Sequence, residues 1–215
     1  MKKLFIIPLV GLFFSCQPSK ITQSWTAADA TPKKYNRILV LGVLSDNDYE
    51  LQTKMEDHLA GDLKDLGYNA VAANKIFPPG TFSKGDTAKA KAAIEGKGFD
   101  GILTVVLVDK RKDRYYVPGK ITEYNTFYNR VGRFDRYYTV VSERIYTPGY
   151  YGEETKYTWE NNFYDLGSRK MIYSARTRSF DYTSKTTLAH TYGQMMAENL
   201  VVKKILLKPE KTDEE

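Results

Sequence analysis

The chain has 215 residues, 42% of them hydrophobic and 27% charged, a balance that excludes collagen-like, disulfide-stapled and wholly disordered proteins. Lys and Arg outnumber Asp and Glu by 32 to 26, a net +6 that suits an anionic partner without requiring one. One Cys and two His leave little scope for catalytic cysteine, zinc or iron–sulfur chemistry, and no cofactor or metal is expected. The first element is an address: Lys2 and Lys3 precede an apolar run from Leu4 to Phe14, broken only by Pro8 and Gly11. A stable membrane span takes about 20 residues, so this shorter run reads as the core of an export signal peptide.

Ser15 and Cys16 close the run, and Cys16 is the only cysteine in the chain. The leader resembles that of bacterial lipoproteins, although Phe13 and Phe14 stand where that family carries an aliphatic and a small residue. The resemblance covers only the leader. It implies cleavage before Cys16, lipidation of Cys16 by palmitate-like acyl chains, and a membrane anchor in the bacterial cell envelope. Two or more acyl chains hold firmly where one is marginal. No acidic cluster follows Cys16, which favours the outer membrane facing the periplasm over the cell surface. The expected organisation is a signal peptide over 1–15, the lipidated Cys and a flexible tether over 16–34, one α/β domain over 35–208 and a disordered acidic tail over 209–215. The tether assignment rests on a polar stretch, Gln17 to Lys34, that holds two prolines and no sustained period.

Arg37 to Leu44 is nearly all apolar, as expected of a central strand covered on both faces. Ser45 to Asp48 offers helix-capping side chains, and Leu51, Met55, Leu59, Leu63 and Leu66 follow at helical spacing up to Gly67. Tyr68 to Ile76 is predicted as a second strand, a short helix is expected from Asp86 to Glu95, and Gly101 to Val108 is the third strand. Tyr137 to Tyr146, Thr155 to Tyr164 and Met171 to Phe180 are rich in Tyr, Thr, Val and Ile and are predicted as hairpin-linked strands. A long helix follows Ser184, with Leu188, Tyr192, Met195, Met196, Val202 and Leu206 on one face. The expected fold is thus an α/β (α+β mixed-sheet) domain: a β-α-β-α-β unit, a three-stranded antiparallel meander and a long C-terminal helix. This order is similar to the small α/β domains of envelope lipoproteins, such as the curli secretion channel lipoprotein and the N-terminal domain of the Tol-Pal translocation protein.

Two glycine-rich strings fail as nucleotide sites. Gly96 to Gly101 spells G-x-G-x-x-G but follows a helix and opens a strand, the reverse of a dinucleotide fingerprint. Gly80 to Thr87 resembles a phosphate loop, but Asp86 holds the place that needs Lys. His58 and Asp62 lie four apart on one helix and are expected to share a surface contact. His190 falls on the polar side of the last helix. Asp109, Glu123, Glu160 and Asp165 are the carboxylates available to a hydrolase, whose acid and base would need a set separation.

Asp109 to Arg136 is too long and polar for a plain connection. From Lys110 to Tyr146, nine Lys and Arg face four Asp and Glu, interleaved with nine aromatics. Tyr115, Tyr116, Tyr128, Arg130, Arg133, Phe134 and Arg136 are the candidate binding residues, since Tyr and Arg anchor many interfaces. Nucleic acid is set aside because the leader exports the chain. The expected function is a non-catalytic, lipid-anchored envelope protein that presents this segment to an envelope protein partner as an assembly or scaffolding component. The alternatives are a binding module for an envelope glycan or anionic lipid headgroup, and a carboxylate-dependent hydrolase. A twisted β-extension with cross-strand Tyr packing is the purely structural use of the same residues.

Overall fold

The structure is a computed structural model that describes residues 19–82, 87–120, 147–180 and 184–207. Six strands form one mixed sheet: β1 (Ser19–Thr26), β2 (Ile38–Val43), β3 (Ala70–Ala72), β4 (Gly101–Val117), β5 (Tyr150–Asp165) and β6 (Lys170–Phe180). Their order across the sheet is β1-β6-β5-β4-β2-β3. β2 pairs in parallel with both β3 and β4, and β4, β5, β6 and β1 are successively antiparallel. The fold is therefore the mixed α+β arrangement expected, with a long C-terminal helix. The first of the three predicted meander strands, 137–146, lies outside the described residues.

Helices α1 (Tyr49–Asp65) and α3 (Lys185–Val202) cover one face, and α2 (Thr87–Ile94) lies against the other. The apolar stripe of α1 buries Leu51, Met55, Leu59 and Leu63 against Ile38, Val40, Leu103 and Val105, while Leu188, Tyr192, Met196 and Leu200 of α3 join the same core. Two hydroxyls fix α3 to the sheet: Tyr173 donates to Asn199 Oδ1 at 2.6 Å, and Tyr192 donates to Asn161 Oδ1. Trp159 lies between the rings of Tyr157 and Tyr192, with centroids 5.8 and 5.5 Å away. Ser184 caps α3 by accepting from the Thr187 N–H at 3.1 Å, whereas Asp48 makes no side-chain cap for α1 and is held instead by Ser45 and Lys110. Gly67 ends the α1 turn at φ 89°, and Gly96 and Gly98 turn the chain after α2 at φ 76° and 74°. The G-x-G-x-x-G string is thus a turn entering β4.

Three expectations change. Residues 19–26, expected in a flexible tether, form the edge strand β1 and pair along β6 from Ser179 to Tyr173. The predicted second strand shrinks to Ala70–Ala72 followed by a 3-10 turn, Ala73–Lys75, because Glu56 captures the Asn74 N–H at 2.8 Å and turns the chain out of the sheet. Residues 109–117, expected to open a partner-presenting segment with a twisted β-extension as the alternative, follow the alternative and continue β4. No helix among the described residues is long and apolar enough to cross a membrane.

Candidate functional site

β4 and β5 outrun the sheet. β6 ends at Phe180, which pairs with Lys156, and beyond that row Lys112–Val117 and Tyr150–Thr155 continue, among the described residues, as a two-stranded ribbon. A bulge between Leu107 and Asp109 shifts the register and marks where the ribbon leaves the core. The described chain reaches one step further: Lys120 and Thr147 bridge each other, with backbone bonds of 3.1 and 3.2 Å, so residues 121–146 are entered and left at the ribbon's tip.

Antiparallel pairing puts directly opposed residues on one face. Tyr116 opposes Tyr151, with ring centroids 5.1 Å apart. On the other face Tyr115 opposes Gly152 and lies over it, since a Cβ there would fall 2.5 Å from the ring. Tyr150 opposes Val117. All four tyrosines are exposed: Tyr115 46%, Tyr116 56%, Tyr150 59% and Tyr151 75%, a concentration of open aromatic surface that nothing in the described fold covers.

The ribbon's charges are paired, mostly across the strands. Arg114 meets Glu153 at 2.9 Å, and Lys156 meets Asp113 at 2.8 Å and Glu154 at 3.2 Å. The Lys156 hydrogen bond holds the Asp113 carboxyl below its ordinary range, and Asp113 and Glu154 push the Lys156 ammonium up. At the base, Lys110 bonds Asp48 at the start of α1 and lies 5.9 Å from the centre of the Tyr157 ring.

Of the seven sequence-predicted residues, Tyr115 and Tyr116 lie at the tip. Tyr128, Arg130, Arg133, Phe134 and Arg136 lie outside the described residues. Sequence reasoning missed Tyr150 and Tyr151; the signal was the repeated Tyr-Tyr doublet, one on each side of the long segment. Of the hydrolase carboxylates, Asp165 is bound by Lys33 at 3.0 Å, Tyr35 at 3.2 Å and the Ser168 N–H at 3.0 Å, whereas Glu160 accepts from Arg176 and Asn162. Asp109 opposes Thr158, and Glu123 lies outside the described residues.

Two other places have polar chemistry. At the carboxyl ends of β2 and β3 a cavity of about 450 Å³ is lined by Tyr49, Gln52, Asn74, Phe77 and Phe82, with Glu56 among its walls. Glu56 accepts from Gly42 N–H at 2.8 Å, Gln52 at 3.2 Å and Asn74 N–H, and burial raises its carboxyl above the ordinary value. Between α1 and α3, the His58 and His190 rings sit 5.6 Å apart. Asp62 there has a buried, unpartnered Oδ2 beside Gly193. The surface pair expected of His58 and Asp62 is thus part of a helix–helix seam that includes His190. No group of three or more potential ligands for a metal occurs among the described residues.

No protein-family model matches the chain, and no curated protein does. Among solved structures, it is similar to the PelC dodecamer from Paraburkholderia phytofirmans, with 10% identity over 89% of this chain and 99% of that one at a TM-score of 0.48. It is also similar to the lipoprotein GNA1162 from Neisseria meningitidis, with 16% identity over 79% of this chain and 96% of that one at a TM-score of 0.38.

Proposed function

We propose that the protein is a lipid-anchored, non-catalytic component of the bacterial cell envelope that serves as an assembly or scaffolding element, with Cys16 as the lipidation site and the segment at the ribbon's tip as its partner-binding surface. The observation that carries the reading is the Lys120–Thr147 bridge. Lys120 and Thr147 meet at the far end of a projecting ribbon flanked by exposed tyrosines, and Tyr128, Arg130, Arg133, Phe134 and Arg136 lie between them in the sequence. A ribbon of this kind spends backbone order on reach and buries little of its own apolar surface, which fits presentation of a recognition segment better than support of a core.

The test pairs two measurements on cells. Metabolic lipid labelling with membrane fractionation compares the native chain with Cys16→Ser; label on the native chain alone is expected. In-cell crosslinking then compares native protein with the combined Arg130→Ala, Arg133→Ala and Phe134→Ala variant. Loss of one or more crosslinked envelope proteins, with anchoring intact, is expected. An unchanged set of partners removes the segment from the reading.

A further inference from the structure

The geometry points to the bilayer itself as the surface that one tyrosine-bearing face of the ribbon contacts: the tip rests in the anionic headgroup layer of the membrane that holds Cys16. This rests on the anchoring half of the function proposed above and specifies how the domain sits on its membrane.

The argument begins at Ser19. It pairs with Ser179, which pairs with Tyr157, which pairs with Lys110, so these four residues form one row across the sheet. Cys16 is three Cα steps from Ser19, at most about 11 Å of extended chain. The 16–34 stretch was expected to give the domain a long leash, but β1 consumes residues 19–26 in pairing. The domain is therefore held close to its anchor.

Direction follows from the register. From that row β1 runs away to Thr26, and the rest of the sheet lies on that side, whereas β5 continues the other way for seven residues to Tyr150. Seven strand residues span about 23 Å, more than the spacer can reach. If the ribbon pointed away from the membrane, the Thr26 end of the sheet would have to enter the bilayer. If it pointed straight in, the ion-paired side chains of the ribbon, and the backbone edges that are open among the described residues, would enter hydrocarbon, where unpaired peptide groups are not tolerated. The orientation left has the ribbon lying along the surface. The face turned to the membrane brings either Tyr116 and Tyr151 or Tyr115 and Tyr150 to that depth, where an amphipathic ring sits stably at the headgroup level. Lys112 and Lys120 on the ribbon, with Lys20 and Arg178 near its base, supply cations for anionic headgroups.

The test uses the full mature lipidated protein, purified from membranes and reconstituted into vesicles of phosphatidylethanolamine with one quarter phosphatidylglycerol. Cys16 is occupied by lipid, so single cysteines introduced as Tyr150→Cys, Tyr151→Cys and Val202→Cys can each take an environment-sensitive fluorophore. Val202 is exposed at the C-terminal end of α3, away from the ribbon. Headgroup-level nitroxide lipids are expected to quench at least one tip label by roughly half, the contact expected of an interfacial side chain, and to leave Val202→Cys unchanged. Membrane-bound protein whose tip labels are quenched no more than Val202→Cys overturns the inference and leaves anchoring intact; a tip that then gains protection only in native membranes belongs to a protein partner. A native chain that carries no lipid and stays soluble overturns both this inference and the anchoring it rests on.

Discussion

Glu56 is fully buried, yet its carboxylate ties the end of β2 to the turn after β3 by accepting the Gly42 and Asn74 N–H groups. Removing it orphans two backbone donors at once, so Glu56→Ala is expected to cost roughly 2 to 4 kcal/mol, read from denaturant unfolding. Asp62 is the opposite case, a carboxyl whose buried oxygen has no donor. The groups facing it are His190 and Glu198 from α3 and Asp65 from α1, with His58 on the same seam; burial dominates and pushes its pKa up to about 6. The folded state then holds this proton more tightly than the unfolded state, whose value is 3.8. Stability from this site is greatest below the unfolded value and falls as pH rises from there to about 6. Asp62→Asn is expected to flatten that slope and to gain about 1 kcal/mol at neutral pH, after allowing for solvent screening of a partly exposed group. Unfolding curves at several pH values check it; an unchanged slope shows that another group sets it. The sequence places His58 and Asp62 correctly on one helix, but it has no way to show that Gly193 of a helix more than a hundred residues later leaves the notch that Asp62 fills.

At the level of elements, legibility follows burial. β2 and the first half of β4 are readable because both faces are covered and the residues are accordingly apolar. β1 is not, since only Ser19 of its eight residues is buried and the strand is held by backbone pairing with β6, which leaves no hydrophobic period. The ribbon is only half readable for the same reason: with solvent on both faces its sequence has the polarity of a loop, so a β-extension stands as one of two readings, and only the tyrosine doublets and cross-strand charge pairs mark it. If β1 is structural, deleting residues 19–26 uncovers the edge of β6. The unfolding midpoint is then expected to drop by at least about 5 °C, and sedimentation should show concentration-dependent association. A monomer with an unchanged midpoint would restore the tether reading of that segment.

Taken whole, the molecule divides into a packed body and a projection that contributes little to the body's stability. The rings of Tyr116 and Tyr151 pack on each other, outside both core clusters. Tyr116→Ala with Tyr151→Ala is therefore expected to move the unfolding midpoint by no more than about 2 °C, the range of surface changes, while altering whatever the tip contacts. A large drop would mean that the ribbon is part of the folding unit. The pairing of the first strand with the last has a further consequence, in time. Ser19 and Ser179 touch across 160 positions, so β1 has no β6 to pair with until most of the chain has been synthesised. Sheet closure is then a late, long-range event of the slow class, and the edge of β1 stays open to chaperones and to its own copies while the rest of the chain is made.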